Sequence, residues 1–310
     1  MLISFVVPAY NVSTSIGRTL DSVFTAKMPD DWSVEALVVD DGSSDGAELA
    51  VVVSRYPGAR LLVHDKNRGM CAGRNTGIAA SSGAVVSILD ADDELVSDWA
   101  MTLKAVLEAW PTEVNVCYAA CRNPEGRVTA QVPDYNGLLM LSDILNERYS
   151  GEYLPLFKGD YVRGKSYIDL EMRKSCGIVS YINFALDGPF WVTSRVLRIY
   201  HEARAGSVSA GWTTAKKARE TALCYQKLFE RYEDLYKREA PLVWRTKCLR
   251  LAVYLRFAGM TGAWSQWRKG ASLTCVKETL GAFLILLVGA SIGGRVAQLT
   301  KQIGLIRRYG

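Results

Sequence analysis

The chain has 310 residues, more than the ~100–200 typical of one domain, so we expect a large α/β unit with an appendage or two small domains. Its 49% hydrophobic and 22% charged residues argue against long disordered tracts, and seven scattered cysteines with only two histidines argue against a disulfide scaffold or a zinc module. The charge is divided, because the last 100 residues hold 18 Lys and Arg against 6 Asp and Glu, whereas the first 210 hold 19 against 26.

Buried strands and amphipathic helices alternate through the first hundred residues. Apolar, β-branched runs predict strands at 3–7, 34–39, 61–63 and 85–89. The spacing of apolar residues between them predicts helices over 13–26, with Ser13 as the N-cap, over 45–55 and over 70–81. Such alternation builds an open parallel sheet with helices on both faces.

The pattern weakens after about residue 110. The run Asn123-Pro124-Glu125-Gly126 predicts a turn, 196–200 a strand, and 213–236 a polar helix. From residue 241 aromatic residues and arginines interleave, and 13 continuously apolar or small residues follow at 280–292. We therefore divide the chain into an α/β domain at 1–210 and a basic, helical C-terminal region at 211–310.

Three polar, acid-rich clusters follow predicted strands. They are Pro8-Ala9-Tyr10-Asn11, Asp40-Asp41-Gly42-Ser43 and Asp90-Ala91-Asp92-Asp93. Ligands of open α/β sheets bind outside the carboxyl ends of the strands, so these clusters predict a site at one edge of the sheet.

Each cluster has a structural and a functional interpretation. The acidic triplet could be a solvated turn, or it could anchor a metal-bound diphosphate, because Mg²⁺ is held by one or two carboxylates plus substrate phosphates. The turn at Asp40 and Asp41 could be only a turn, or it could hold a nucleoside. Arg74, on a predicted helix, could be a surface charge or could neutralise phosphate oxygens.

Taken together, these segments resemble the nucleotide-binding half of the family 2 glycosyltransferases with the GT-A fold. The resemblance rests on five motifs in the order and spacing of that family: 6–11 (VVPAYN), 38–45 (VVDDGSSD), 67–69 (NRG), 72–77 (AGRNTG) and 89–93 (LDADD). It covers residues 1–100 well and 190–210 loosely. It implies an α/β GT-A fold, with a Rossmann-like, mostly parallel sheet and flanking helices, plus the helical C-terminal region.

The resemblance also implies transfer of a sugar from a nucleotide-diphosphate donor to an acceptor hydroxyl, with inversion and with Mg²⁺ or Mn²⁺. The residues it assigns to the nucleotide-sugar are Pro8, Tyr10, Asn11, Asp40, Asp41, Arg74, Asn75, Asp90, Asp92 and Arg204. Those it assigns to the metal are Asp92, Asp90, Asp93 and His201.

The general base is the point at which the sequence departs from the family, since no Glu-Asp pair occurs in the expected place. The candidates are Asp169, Glu171 and Asp187, and we favour Asp169. It lies 29 residues before Arg198, which leaves room for a helix and a turn before the next strand, whereas Asp187 lies only 11 residues before it.

The C-terminal region raises the question of a membrane. The apolar run at 280–292 is shorter than the about 20 residues that span a bilayer, so it predicts an interfacial helix or a helix of a buried core or dimer contact. With a nucleotide-sugar donor we expect a saccharide or lipid-linked saccharide acceptor, peripheral membrane contact and no nucleic acid. We expect a cytoplasmic location, at the membrane's cytoplasmic face if the acceptor is lipid-linked. The alternatives are a nucleotidyltransferase and a non-catalytic relative that binds nucleotide or lipid.

Overall fold

The computed structural model describes residues 1–172, 176–201 and 214–288. The chain forms two compact units. The first comprises Met1–Ile144 and Arg148–Glu202, and the second comprises Leu145–Glu147 and Ala203–Gly310.

The first unit is built on one nine-stranded sheet. Its strands are β1 (Leu2–Ala9), β2 (Ser33–Asp40), β3 (Ala59–Val63), β4 (Val85–Ile88), β5 (Glu94–Leu95), β6 (Val116–Arg122), β7 (Gly137–Leu139), β8 (Tyr153–Lys158) and β9 (Phe190–Ile199). The helices up to β9 are α1 (Ile16–Phe24), α2 (Gly46–Val53), α3 (Met70–Ala80), α4 (Trp99–Ala109), α5 (Leu141–Leu145), α6 (Gly159–Lys165) and α7 (Gly177–Ala185). The strands and helices predicted in the first hundred residues, and the strand predicted at 196–200, are confirmed.

The strand order is β3-β2-β1-β4-β8-β6-β9-β5, and β7 pairs with β9. Strands β1 to β4 are parallel to one another, and β6 is parallel to β9, whereas β8 runs antiparallel to both β4 and β6. The sheet is therefore mostly parallel rather than wholly parallel. Because β8 is reversed, it begins at the edge where β1 to β4, β6 and β9 end.

The helix that follows β1 begins later than expected. It starts at Ile16, and Ser15 occupies the N-cap position instead of Ser13. The backbone N–H of Ser13 donates to Asp45 Oδ2 at 2.9 Å. Ser13 is thus part of a bridge between the loops that follow β1 and β2.

Close packing of α3 on the sheet depends on glycine. A Cβ added at Gly77 would lie 2.3 Å from Val6 Cγ1, which excludes any side chain there, whereas one at Gly73 would lie 3.5 Å from Pro8 Cβ, an ordinary contact. Helix α3 therefore lies directly against β1. This approach carries Arg74, which lies between the two glycines in the chain, toward the carboxyl edge of the sheet.

The second unit is helical. Its elements are α8 (Ala215–Glu239), α9 (Pro241–Phe257), α10 (Ala263–Gly270), a short 3₁₀ turn (Leu273–Cys275) and a helix over 276–288. The predicted helix at 213–236 is confirmed as α8, which Thr214 caps by accepting from the Lys217 N–H. No single helix among the described residues is long and apolar enough to cross a bilayer, and Ala263–Gly270 and Leu273–Val288, bent by 96°, pass that test only as a pair.

A partly buried ion pair, in which Lys247 is buried and the Glu147 side chain is 37% exposed, links the short segment at 145–147 to α9. Lys247 Nζ lies 2.6 Å from Glu147 Oε1, and Arg250 Nη1 lies 3.3 Å from the same oxygen. The Lys247 ammonium also lies 5.7 and 5.6 Å from the ring centres of Tyr225 and Tyr236. Burial alone would raise the pKa of Glu147, but Lys247 and Arg250 outweigh it and hold this pKa below its ordinary value.

Candidate active site

The acidic turn after β4 is held by side chains at the start of α1. The carbonyl oxygens of residues 91, 92 and 93 accept hydrogen bonds from Ser15 Oγ, Arg18 Nη2 and Thr19 Oγ1 at 3.2, 2.7 and 2.7 Å. Three consecutive carbonyls are thus fixed from one helix. This support sets the direction in which the carboxylates of the turn leave the backbone.

Arg198, on β9, supplies a positive charge beneath the carboxylates. The side chain is 3% exposed, and its Nη1 lies 3.3 Å from Asp90 Oδ2 and 3.3 Å from Asp93 Oδ2. Its Nε donates to Cys121 Sγ at 3.1 Å, and its Nη2 lies 3.5 Å from Glu152 Oε2. Clustered carboxylates repel one another, and Arg198 offsets part of that repulsion from within the protein.

Asp93 faces the protein interior. Burial raises the pKa of Asp93 to about 7, although Arg198 opposes the shift. Its Oδ1 accepts a hydrogen bond from the His201 N–H at 2.8 Å. His201 Nε2 lies 2.7 Å from Glu94 Oε1, which also pairs with Arg18 Nε at 3.1 Å. Asp93 and His201 therefore join the turn after β4 to the end of β9.

Asp41 organises the loop after β3. Its Oδ1 accepts from the Arg68 N–H at 2.8 Å and lies 2.7 Å from His64 Nδ1, and its Oδ2 accepts from the Gly69 N–H at 2.8 Å. The carboxylate is almost completely buried. In this structure Asp41 therefore fixes the loop after β3 through the three residues that it contacts.

The loop after β1 is locked to the loop after β2. Asn11, which has a φ of 53°, accepts from the Ser44 N–H through Oδ1 and donates its own N–H to Ser43 Oγ, each at 2.9 Å. Asp40 Oδ1 accepts from the Ser43 N–H at 2.9 Å. These contacts present Tyr10 on a fixed loop with 45% of the residue exposed. Its ring is a flat apolar surface of the kind that stacks on a nucleobase.

Arg74 and Asn75 on α3 both contact Tyr167. The Arg74 guanidinium lies 5.2 Å from the centre of the Tyr167 ring, and its Nη2 lies 3.8 Å from Asp90 Oδ1. Asn75 Nδ2 donates to the Tyr167 carbonyl at 2.9 Å, and Asn75 Oδ1 accepts from the Tyr167 N–H at 2.8 Å. We call these two hydrogen bonds the Asn75 clamp. It attaches the segment around Tyr167 to the helix that carries Arg74.

Two of the three candidate bases follow directly after the Asn75 clamp. The Ile168 N–H donates to Ser180 Oγ at 3.0 Å, which fixes the chain one residue before Asp169. Asp169 Oδ1 accepts from the Glu171 N–H at 2.9 Å, and Glu171 has a φ of 55°. Asp169 and Glu171 thus lie on a short, tightly turned segment anchored beside Arg74.

The structure does not bring Asp187 to this group. It lies just before β9 begins, at the edge of the sheet opposite the carboxyl ends of β1 to β4. Its carboxylate contacts Lys165 Nζ at 2.8 Å and Tyr161 Oη at 2.8 Å, and the hydrogen bond from Lys165 lowers its pKa. We therefore set Asp187 aside as a base. Arg204, assigned above to the nucleotide-sugar, lies outside the described residues.

Two features of the site have only weak sequence signals. Arg198 stands between the apolar residues Leu197 and Ile199, and Thr19 is fully buried among the apolar positions of α1. A charged or hydroxyl side chain in such a setting indicates a buried polar partner. The partners are Asp90 and Asp93, far away in the sequence, so the pattern alone could not identify them.

The donor set suits a divalent cation held partly by substrate. In the part of the chain that the structure describes, no group of three or more His, Cys, Asp and Glu side chains is arranged to hold a metal. Asp90 and Asp92 nevertheless place two carboxylates at the partly exposed rim of the turn, with the Asp90 side chain 39% exposed. One or two carboxylates completed by phosphate oxygens is the arrangement that Mg²⁺ commonly takes.

Comparison with known proteins places this geometry in a family context. Residues 4–161 match the family model described as glycosyl transferase family 2. The succinoglycan biosynthesis protein ExoO of Rhizobium meliloti is 38% identical over 96 residues, which is 31% of this chain and 27% of that protein. The chain spans about a third or less of the length of the first curated relatives it matches.

Two further matches cover more of the chain. The GalNAc(5)-diNAcBac-PP-undecaprenol beta-1,3-glucosyltransferase of Campylobacter jejuni is 24% identical over 240 residues, 75% of this chain and 74% of that protein. The solved structure of the mannosyltransferase PcManGT of Pyrobaculum calidifontis, in complex with GDP-Man and Mn²⁺, aligns with a TM-score of 0.55 and 20% identity. That alignment covers 96% of this chain and 80% of that one, and it supports the fold.

Proposed function

The chain belongs to glycosyl transferase family 2 and has the GT-A fold, and on this premise we propose that it moves a hexose or related sugar from a nucleotide-diphosphate sugar to an acceptor hydroxyl, with inversion. The observation that carries the proposal is the meeting of Arg74 with the acidic turn at the carboxyl edge of the sheet. Cations and carboxylates at this position suit a diphosphate and its counter-ion.

The donor would occupy the rim between the loops after β1, β2 and β4. Tyr10 would stack on the base, and Pro8 and Asn11 would shape the floor beside it. Asp40 and Asp41 would act mainly through the loops that they hold. Arg74 would contact the phosphates, for which its guanidinium offers several donors in one plane.

The metal would be held by Asp92 and Asp90, with Asp93 and His201 left to support the turn. Mg²⁺ or Mn²⁺, when bound, would stabilise negative charge on the leaving diphosphate. Arg198 would keep the turn folded before donor and cation arrive, because it already offsets the charges of Asp90 and Asp93.

Asp169 is the proposed general base. Its carboxylate would take the proton from the acceptor hydroxyl, whose oxygen then forms the new bond to the anomeric carbon. The bond from that carbon to the diphosphate breaks with its electron pair, and the nucleoside diphosphate leaves. The support for Asp169 is its place directly after the Asn75 clamp, which attaches it to the helix that carries Arg74.

Glu171 is the alternative base on the same segment, and a pair of variants separates the two. Asp169→Asn should lower kcat strongly with little change in nucleotide affinity, because the base acts on the acceptor rather than on the donor. Glu171→Gln should leave kcat close to that of the wild type. The reverse result would move the role to Glu171.

We propose a lipid-linked saccharide as the acceptor and the cytoplasmic face of a membrane as the location, in the synthesis of a surface polysaccharide. The support is the Campylobacter jejuni relative, because its name includes an undecaprenol-linked saccharide. The basic composition of the last hundred residues agrees with an anionic membrane surface.

The experiment that tests the function is incubation of the protein with a panel of UDP-, GDP- and dTDP-sugars, an acceptor extract and Mn²⁺. Transfer predicts release of the nucleoside diphosphate together with a glycosylated product. Release of free pyrophosphate would instead indicate a nucleotidyltransferase. Absence of turnover with every donor, in a folded sample, would contradict the proposal.

A further inference from the structure

The helix over 276–288 is apolar on two faces. On one face, Ala282, Ile285 and Leu286 are each about 1% exposed and belong to the core of the second unit. On the other, Leu284 and Leu287 are 54% and 57% exposed. A surface helix of a water-soluble protein usually turns polar residues outward, so the second face is unusual.

The exposed face continues toward the start of the helix and beyond it. Leu280 and Val276 are 57% and 43% exposed, and Leu273, in the 3₁₀ turn, is 92% exposed. The positions 273, 276, 280, 284 and 287 are separated by three or four residues, which aligns them along one side. We call these five residues the apolar stripe. A continuous row of this kind marks an interaction surface.

The neighbouring side chains indicate what the stripe meets. Lys277, Arg268 and Lys269 are exposed, with Glu278 as the exposed acid on the same helix. Trp264, on α10, is 41% exposed, and its ring lies 5.8 Å from that of Phe283 on the helix of the stripe. Leucines beside a tryptophan and several cations match the interfacial zone of a bilayer with anionic headgroups.

We propose that the apolar stripe docks the second unit onto an anionic bilayer, with the helix lying in the plane of the headgroups. One face of the helix over 276–288 packs in the protein core, so among the described residues of this helix the stripe forms the face that lipid could contact. The charge on the last 100 residues, 18 Lys and Arg against 6 Asp and Glu, complements anionic lipid. This inference rests on the proposed function, because docking onto a bilayer would bring the protein to a lipid-linked acceptor.

The test is sedimentation of the full-length protein with vesicles of phosphatidylcholine, with and without phosphatidylglycerol. We expect binding to the anionic vesicles that weakens with added salt. Leu284→Asp and Leu287→Gln should each reduce the partition coefficient about ten-fold or more. Leu186→Asp is the matched control, because Leu186 is 52% exposed but lies in the first unit, and it should bind as the wild type does.

Several outcomes would overturn the inference. Folded protein that binds neither kind of vesicle would do so, as would stripe variants that bind as tightly as the wild type. Light scattering tests a further outcome, in which the stripe is a dimer contact. If the wild type is a dimer, both stripe variants are monomers and no form binds vesicles, the stripe belongs to a contact with a second copy of the chain. Circular dichroism confirms that the variants are folded.

Nucleotide binding by the same variants keeps this inference separate from the proposed function. If the stripe variants lose vesicle binding but retain nucleotide binding, the docking proposal is supported. If the wild type binds vesicles but no nucleotide, the proposed function fails and the docking proposal stands.

Discussion

The Asn75 clamp makes a prediction that the geometry allows us to quantify. Tyr167 is 3% exposed, and both its N–H and its carbonyl are paired with the side chain of Asn75. Asn75→Ala leaves two buried backbone groups without these partners, and each such group costs about 1–3 kcal/mol. We therefore expect the free energy of unfolding to fall by roughly 2–6 kcal/mol, with the lower values if water enters the space left by the amide.

The assay is urea unfolding followed by fluorescence, with Asn123→Ala as the matched control. Asn123 also accepts a backbone hydrogen bond, from the Arg127 N–H at 2.8 Å, but in an exposed turn, so its loss should cost less than about 1 kcal/mol. Equal and small losses of unfolding free energy for the two variants would show that the Asn75 clamp does not stabilise the fold.

The same variant has a functional readout. The clamp attaches the segment that carries Asp169 to α3, so Asn75→Ala should lower kcat about ten-fold or more while nucleotide affinity changes little. Loss of nucleotide affinity with an unchanged kcat would instead assign Asn75 to the donor, as the family resemblance does.

Three further predictions concern the metal, the packing and the charges. Asp92→Asn should abolish metal-dependent nucleotide binding in calorimetry while the thermal unfolding midpoint stays close to that of the wild type; unchanged turnover would contradict the assignment. Gly77→Ala should lower the free energy of unfolding by about 1–3 kcal/mol in urea titrations, because its Cβ would lie 2.3 Å from Val6 Cγ1; Gly164→Ala, with no atom within 4 Å of the added Cβ, is the control that should cost little. Lys247 and Arg250 hold the pKa of Glu147 below its ordinary value, so its ionised form stabilises the fold at neutral pH and that contribution is lost as the pH falls through the lowered pKa. Glu147→Gln should therefore lower the thermal unfolding midpoint at pH 7 and converge with the wild type in acid, and an equal difference at both pH values would refute the ion pair's role.

The two-residue strand β5 was not predicted, but the local patterns of the first hundred residues were sufficient to predict strands β1 to β4, helices α1 to α3 and the edge at which the polar clusters lie. Each of these features depends on neighbours within a few residues of one another. The pairing direction of β8 cannot be predicted from neighbouring residues, because a short apolar run is compatible with both a parallel and an antiparallel strand. Its reversal is therefore a finding of the structure.

The placement of Asp187 shows the same limit in the candidate site. Its distance in sequence from β9 says nothing about which edge of the sheet it occupies, because that depends on the direction of the strand. Arg198 lies 108 residues from Asp90, with which it pairs. Contacts of this kind follow from topology, which a pattern of neighbouring residues does not contain.

The central claim is that a nucleotide diphosphate binds with a divalent cation at the turn that carries Asp92. The most direct test is calorimetric titration of the protein with UDP, GDP and dTDP, each in Mn²⁺ or Mg²⁺ and again in EDTA. We expect one nucleotide to bind with the cation present, and we expect EDTA to abolish the heat of binding. Folded protein that binds none of the three, or that binds one equally well in EDTA, would contradict it.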